Sequence, residues 1–320
     1  MTAAGAPQPR STPAPAPAPA SGEQIELRHG EQRAIVVEVG GGLRAYAAGG
    51  RELIDGYGES EMADTGRGQT LIPWPNRLRD GRYEFAGERQ QVALTEPERS
   101  NAIHGLVRWA SWTVALRERA LVRLEHRLHP QEGYPFELAL ALHYELDDDG
   151  LTVRLGATNL GASACPFGAG AHPYVSVGAE RIDACTLTAP GGRWMRTDER
   201  AIPVSCEPVE GTEYDFRAPR QLGATSLDTG YAALERDEDG RARVRLSAPD
   251  GARAVTVWQD ESYPYLMLFN GDSIAQPRRR RRSLGVEPMT CAPNAFQSGA
   301  GLITLQPGEA FEGAWGISPR

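Results

Sequence analysis

After residue 23 the chain is written in short runs whose apolar and polar positions alternate, the period of a strand with one buried face. Residues 33–39 (RAIVVEV) and 43–47 (LRAYA) open the series. Residues 111–116 and 120–128 follow as an antiparallel pair. Residues 136–146 (FELALALHYEL) alternate without interruption, residues 147–150 (DDDG) supply a turn, and residues 151–159 return, which predicts a hairpin. Further strands are predicted at 241–246, 254–259, 265–270 and 301–305, the last closing the set. No long segment carries a capped 3.6-residue apolar period, so the pattern predicts an all-β sandwich or barrel. No Pro/Gly linker divides residues 23–320, which are therefore expected to form one domain. Residues 1–22 are Pro/Ala-rich and polar, and are expected to form a disordered tail of polyproline character.

Composition narrows the class. The 320 residues are 40% hydrophobic and 24% charged, with a net charge of -8, a balance that argues against a nucleic-acid or anionic-membrane surface. No apolar run is long enough to span a bilayer, and the N-terminal stretch has no apolar signal core. Cys165, Cys185, Cys206 and Cys291 form no CxxC unit and no metal-ligand spacing, so reduced thiols in the cytoplasm are the simplest expectation. The run Arg278–Arg282 has the chemistry to bind phosphate, but it follows Gln276-Pro277 and is expected to be a solvated loop. No phosphate-binding Gly loop, dinucleotide fingerprint or zinc spacing is present.

The candidate chemistry centres on His172, in GAGAHPY, and Glu287, in LGVEP. Both stand beside proline in turn-like stretches, which place side chains at the mouth of a scaffold. An imidazole and a carboxylate can together give and take a proton near neutral pH. Arg77, after Pro75-Asn76, brings a rigid fork of donors suited to sugar hydroxyls or a carboxylate; a rigid surface turn is the plainer reading. His104, in NAIHG, can donate from either ring nitrogen or serve as a structural histidine. Asp228, in SLDTGY, suits either a turn or a pair of adjacent sugar hydroxyls. Trp258, Gln259 and Tyr263 form a segment rich in sugar-contacting groups, with core packing as the other reading. Cys291 lies four residues after Glu287, with no histidine near it in sequence to make it a nucleophile.

Taken together, PNR at 75–77, NAIHG at 101–105, AHPY at 171–174, LDTGY at 227–231 and VEPMTCAPNAF at 286–296 resemble the aldose 1-epimerase (galactose mutarotase) family. The resemblance implies a large antiparallel β-supersandwich with an open sugar cleft. It places the general acid on His172 and the general base on Glu287. Arg77, His104 and, from its motif, Asp228 become sugar-binding residues, with no metal or cofactor. His172-Pro173-Tyr174 and Glu287-Pro288-Met289 depart from the best-known members and resemble a divergent bacterial branch. The implied activity is interconversion of the α and β anomers of a free hexose such as glucose or galactose. The mechanism requires a protonated His172 and an ionised Glu287 at the start. Two other readings are a hexose-6-phosphate mutarotase, with the phosphate on Arg278–Arg282, and a carbohydrate-binding or sensing module without catalysis.

Overall fold

The alternation over residues 136–159 becomes a long hairpin. Strands Leu138–Asp147 and Gly150–Asn159 pair antiparallel from Leu138 opposite Asn159 to Asp147 opposite Gly150. Leu138, Leu140, Leu142, Tyr144 and Leu146 point inward, as the period of two requires. This computed structural model describes residues 18–319. The expected tail at 1–22 falls mostly outside them. At its C-terminal end Ser21 is only 4% exposed, and its carbonyl accepts from Val39.

Two large antiparallel sheets carry the molecule, and one contiguous hydrophobic cluster draws side chains from both. A nine-stranded sheet contains this hairpin. An eight-stranded sheet is built around Tyr265–Phe269 and Leu284–Met289. A smaller four-stranded sheet is formed by residues 24–52. Among the described residues the one α-helix is Ala295–Ser298. The expected all-β supersandwich is therefore the fold of this protein.

The series of strands does not close at residue 305. Ala310–Ser318 is a further strand at the centre of the nine-stranded sheet, between Gly150–Asn159 and Ala254–Gln259. Its sequence, AFEGAWGIS, hides the alternation because glycine replaces a side chain where space is lacking. A Cβ on Gly316 would stand 2.4 Å from the Leu151 carbonyl oxygen and 2.5 Å from the Trp258 ring.

Leu284–Met289 carries the glutamate of the candidate pair. All six of its residues are buried, so Glu287 lies in a sheet interior and not in the turn-like loop expected for it. Asp228 opens a strand, Asp228–Leu234, so of the two roles left open for it the turn is not the one it takes. The proline after Glu287 leaves the pairing with Tyr265–Phe269 intact, with Pro288 opposite Leu266.

Candidate active site

Strand register brings the candidates together. Gly170 pairs with Met289, and Tyr174 pairs with Gly285. Counting inward from both ends of this antiparallel match sets His172 opposite Glu287. Their side chains meet there, with His172 Nε2 3.3 Å from Glu287 Oε1. Both are almost fully buried, His172 4% and Glu287 2% exposed, so they form the floor of a site and not its mouth. Asp228 faces Phe269 in the neighbouring pair of strands, at the end that adjoins Gly285.

The PNR and NAIHG segments are joined in the same way. Strand Arg77–Arg79 pairs with Asn101–Ile103, setting Arg77 opposite Ile103. Asn76 sits at φ 55° and His104 at φ 65°, left-handed conformations that asparagine and histidine tolerate better than most residues. The two residues hold each other. His104 N–H donates to the Asn76 carbonyl at 2.9 Å, and Asn76 N–H donates to His104 Nδ1 at 3.2 Å. That acceptor role puts the proton of the neutral ring on Nε2.

All five candidates line one pocket of about 380 Å³ with Arg108 among them. Arg77 is gripped by Glu96, Nε at 2.9 Å from Oε2 and Nη2 at 3.0 Å from Oε1, and its Nη1 lies 3.6 Å from Asp228. Glu96 also accepts from Arg99 and Asn101, both at 3.0 Å. Removing one partner of such a buried ion pair typically costs about 3–5 kcal/mol, because it leaves an uncompensated charge. The guanidinium fork of Arg77 is thus aimed by the Glu96 carboxylate.

Electrostatics set the protonation of the central pair. Burial pushes the His172 pKa down to about 3, helped by the charges of Arg67 and Arg108. Burial pushes Glu287 up to about 8; the Asp228 charge adds to this and Arg77 opposes it. Near neutral pH the pair therefore holds one proton, and it rests on Glu287. This inverts the order expected from the sequence, because taking both groups out of water favours the neutral form of each. His104 is held well below the usual histidine range by burial and then by the charges of His172, Arg108 and Arg77.

The His172 ring is fixed on several sides. It stacks on Tyr174 at 4.9 Å and 12°, and meets His104 edge-on at 5.3 Å. Behind Tyr174 lies the Arg67 guanidinium, 4.1 Å from the ring centroid and bonded to Asp55 and Asp64. Gly66 closes another side: at φ 77°, a Cβ there would fall 2.7 Å from His172 Cδ2. Gly66→Ala is expected to displace the ring and lower turnover by roughly tenfold or more, on the order of the cost of a small misplacement. Steady-state kinetics beside a thermal melt checks this. Unchanged turnover would mean that the ring position is not set here.

Other expectations are corrected. Trp258, Gln259 and Tyr263 do not line this pocket; they are 8%, 2% and 1% exposed and belong to the packed interior. Gln259 donates to the Tyr263 and Tyr265 carbonyls at 2.6 and 2.8 Å. The run Arg278–Arg282 is not a solvated loop throughout, and none of it lines the pocket. Arg281 is 6% exposed and bonds Asp183 and Asp272, while Arg279 lies among Asp55, Glu61 and Asp64. Arg278, Arg279 and Arg282 border a separate cleft of about 1270 Å³. Cys291 is buried, which pushes its thiol up to about 12 and leaves it unreactive. Among the described residues no group of three or more His, Cys, Asp or Glu is placed to hold a metal ion.

Glu96, Arg67 and Arg108 were not singled out in the sequence. Glu96 stands before a proline outside any alternating run, and its partner Arg77 is nineteen positions away. Arg67 stands between two glycines, the one local sign that backbone passes close by.

Known proteins agree with this architecture. Residues 23–318 match the sequence model of the aldose 1-epimerase family. The uncharacterized protein YihR of Escherichia coli (strain K12) is 31% identical over 290 residues, covering 90% of this chain and 91% of that one. The galactose mutarotase of Bos taurus is 26% identical over 259 residues, 74% of each chain. The crystal structure of the GalM/aldose epimerase homologue from C. elegans superposes with a TM-score of 0.81 at 17% identity, covering 93% of this chain and 99% of that one. The chain belongs to the aldose 1-epimerase family.

Proposed function

We propose that residues 23–320 act as a single catalytic domain, an aldose 1-epimerase interconverting the α and β anomers of a hexose by acid/base ring opening. The observation that carries this reading is the buried contact of His172 Nε2 with Glu287 Oε1 at 3.3 Å, at the floor of a sugar-sized pocket. Between them the pair holds one proton, so one member can give a proton while the other takes one. Free, buried Cys165, Cys185 and Cys291 suit a reducing compartment, and the cytoplasm is the proposed location.

In the proposed cycle, the proton passes from Glu287 to His172 across their contact as the sugar enters. Ionised Glu287 then takes the proton of the anomeric hydroxyl while His172 gives its proton to the ring oxygen. The C1–O5 bond breaks, its electron pair stays on O5, and C1 becomes the aldehyde carbon. Rotation about C1–C2 presents the other face. O5 returns its proton to His172 as it attacks C1, and O1 takes one from Glu287. Arg77 and the Nε2–H of His104 supply fixed donors to the oxygens between which charge moves. Asp228 accepts from sugar hydroxyls and keeps Arg77 in line.

The test is polarimetry from pure α-glucose and α-galactose, corrected for spontaneous mutarotation. The expected result is acceleration proportional to protein concentration. Tight sugar binding without acceleration would support the sensing reading instead.

A further inference from the structure

Three arginines line the pocket, and two of them are committed. Arg77 is held by Glu96 and faces Asp228, and Arg99 donates to Glu96. Arg108 differs. Its backbone is pinned, because its carbonyl accepts from Gln69 Nε2 at 2.8 Å and packs against Gly40, whose Cβ, if present, would stand 2.5 Å from that oxygen. Its guanidinium has no hydrogen-bond or ion-pair partner among the described residues. It lies 6.0 Å from the ring centroid of Trp109, itself 49% exposed.

This cation is half-buried, and burial holds its pKa below the usual arginine value. Its charge reaches both His104 and His172, so it stands within electrostatic range of the reacting centre. None of the pocket carboxylates is bonded to it. Glu96 is saturated by Arg77, Arg99 and Asn101, and Asp228 lies on Arg77. Glu287 carries its proton, and Glu98 is exposed on the short turn Pro97–Arg99. A partly desolvated guanidinium without a partner is a standing cost. The hydroxyls of a neutral hexose would meet it only with neutral acceptors. A carboxylate or phosphate would meet it with a two-pronged, charge-assisted pair.

We infer that the aldose turned over at this site carries an anionic group and that Arg108 receives it. The anion cannot be a substituent of O1, because ring opening needs the free anomeric hydroxyl. An anion on the exocyclic carbon leaves C1 and O5 to Glu287 and His172, and that is the position tested. The inference rests on the mutarotase reading and assigns its substrate class. It also moves the anion receptor away from Arg278–Arg282, which lines a different cleft.

The test compares catalysed anomer exchange by NMR for glucose, glucuronate and glucose 6-phosphate, each corrected for its spontaneous rate. The full chain is used, as wild type and as Arg108→Gln. Wild type is expected to show at least a tenfold higher kcat/KM for one of the anionic aldoses than for glucose. Preference for glucuronate identifies a carboxylate, and preference for the 6-phosphate identifies a phosphate. Arg108→Gln is expected to cut that preference at least tenfold. A wild type that favours glucose, or takes all three alike, overturns the inference. So does an Arg108→Gln variant in which all rates fall together and the preference is unchanged, since Arg108 would then act on the reacting centre. Calorimetric binding of the same sugars separates the two readings. Arg108-dependent binding of an anionic aldose without acceleration keeps Arg108 as the anion receptor and sinks the mutarotase reading, and with it the claim that such an aldose is turned over. Acceleration of glucose alone does the reverse.

Discussion

Replacing His172 by asparagine, or Glu287 by glutamine, is expected to lower accelerated anomer conversion by roughly 10²–10⁴-fold each, the usual worth of a positioned acid or base. The fold should survive both changes for different reasons. Glutamine matches Glu287 in volume and is neutral, and the buried Glu287 already carries its proton near neutral pH. The substitution therefore removes proton transfer without stranding a charge in the eight-stranded sheet. Asparagine at 172 gives up the stack on Tyr174 but keeps the backbone bonds, in which His172 N–H donates to Gln69 and the His172 carbonyl accepts from Gly68. Polarimetry from α-glucose or α-galactose, or from the preferred anionic aldose, measures the loss, and denaturant midpoints verify the fold. Near-normal turnover in either folded variant removes that residue from the reaction.

How far the sequence could be read depended on whether a residue's setting is local. Leu138–Asp147 and Gly150–Asn159 were legible because alternation and a turn are properties of one stretch. Ala310–Ser318 was not, since the reason for its glycines is the Trp258 ring and the Leu151 carbonyl on neighbouring strands. Glu287 was legible as a residue and misread as an environment. VEP reads as a loop, yet the strand is flanked on both sides near the proline, with Leu266 opposite Pro288 and Gly170 opposite Met289. The meeting of His172 with Glu287 comes from a register that no local pattern contains. The charge order of the pair was beyond reach for the same reason, because burial by distant strands decides it. Arg279 and Arg281 show the opposite error. A run of like charge looks solvated until the acidic partners at Asp55, Asp183 and Asp272 are folded against it.

The pH dependence of kcat/KM should be bell-shaped, but with its limbs owned in the reverse of the order that the sequence suggested. His172 has its pKa depressed on folding, so it stays neutral as pH falls until it is protonated at about 3. Below that point both members of the pair hold a proton and no base remains. Glu287 has its pKa raised, so it stays protonated as pH rises until about 8. Above that point neither holds a proton and no acid remains. Between the two limits the pair carries one proton, and the rate should be level through the weakly acidic range. The groups facing the pair that add charge are Arg67, Arg77, Arg108 and Asp228, and burial holds His104 well below the usual histidine range. Because the two atoms lie 3.3 Å apart, each limb belongs to the coupled pair. A limb near the ordinary histidine value of about 6.5 would show that His172 is not held neutral. Infrared difference spectra of wild type against Glu287→Gln, taken on the plateau, read the owner of the proton directly. A protonated carboxyl band in wild type is the expected result. An ionised carboxylate there would restore a histidinium paired with a glutamate and would mean that the contact between them outweighs burial.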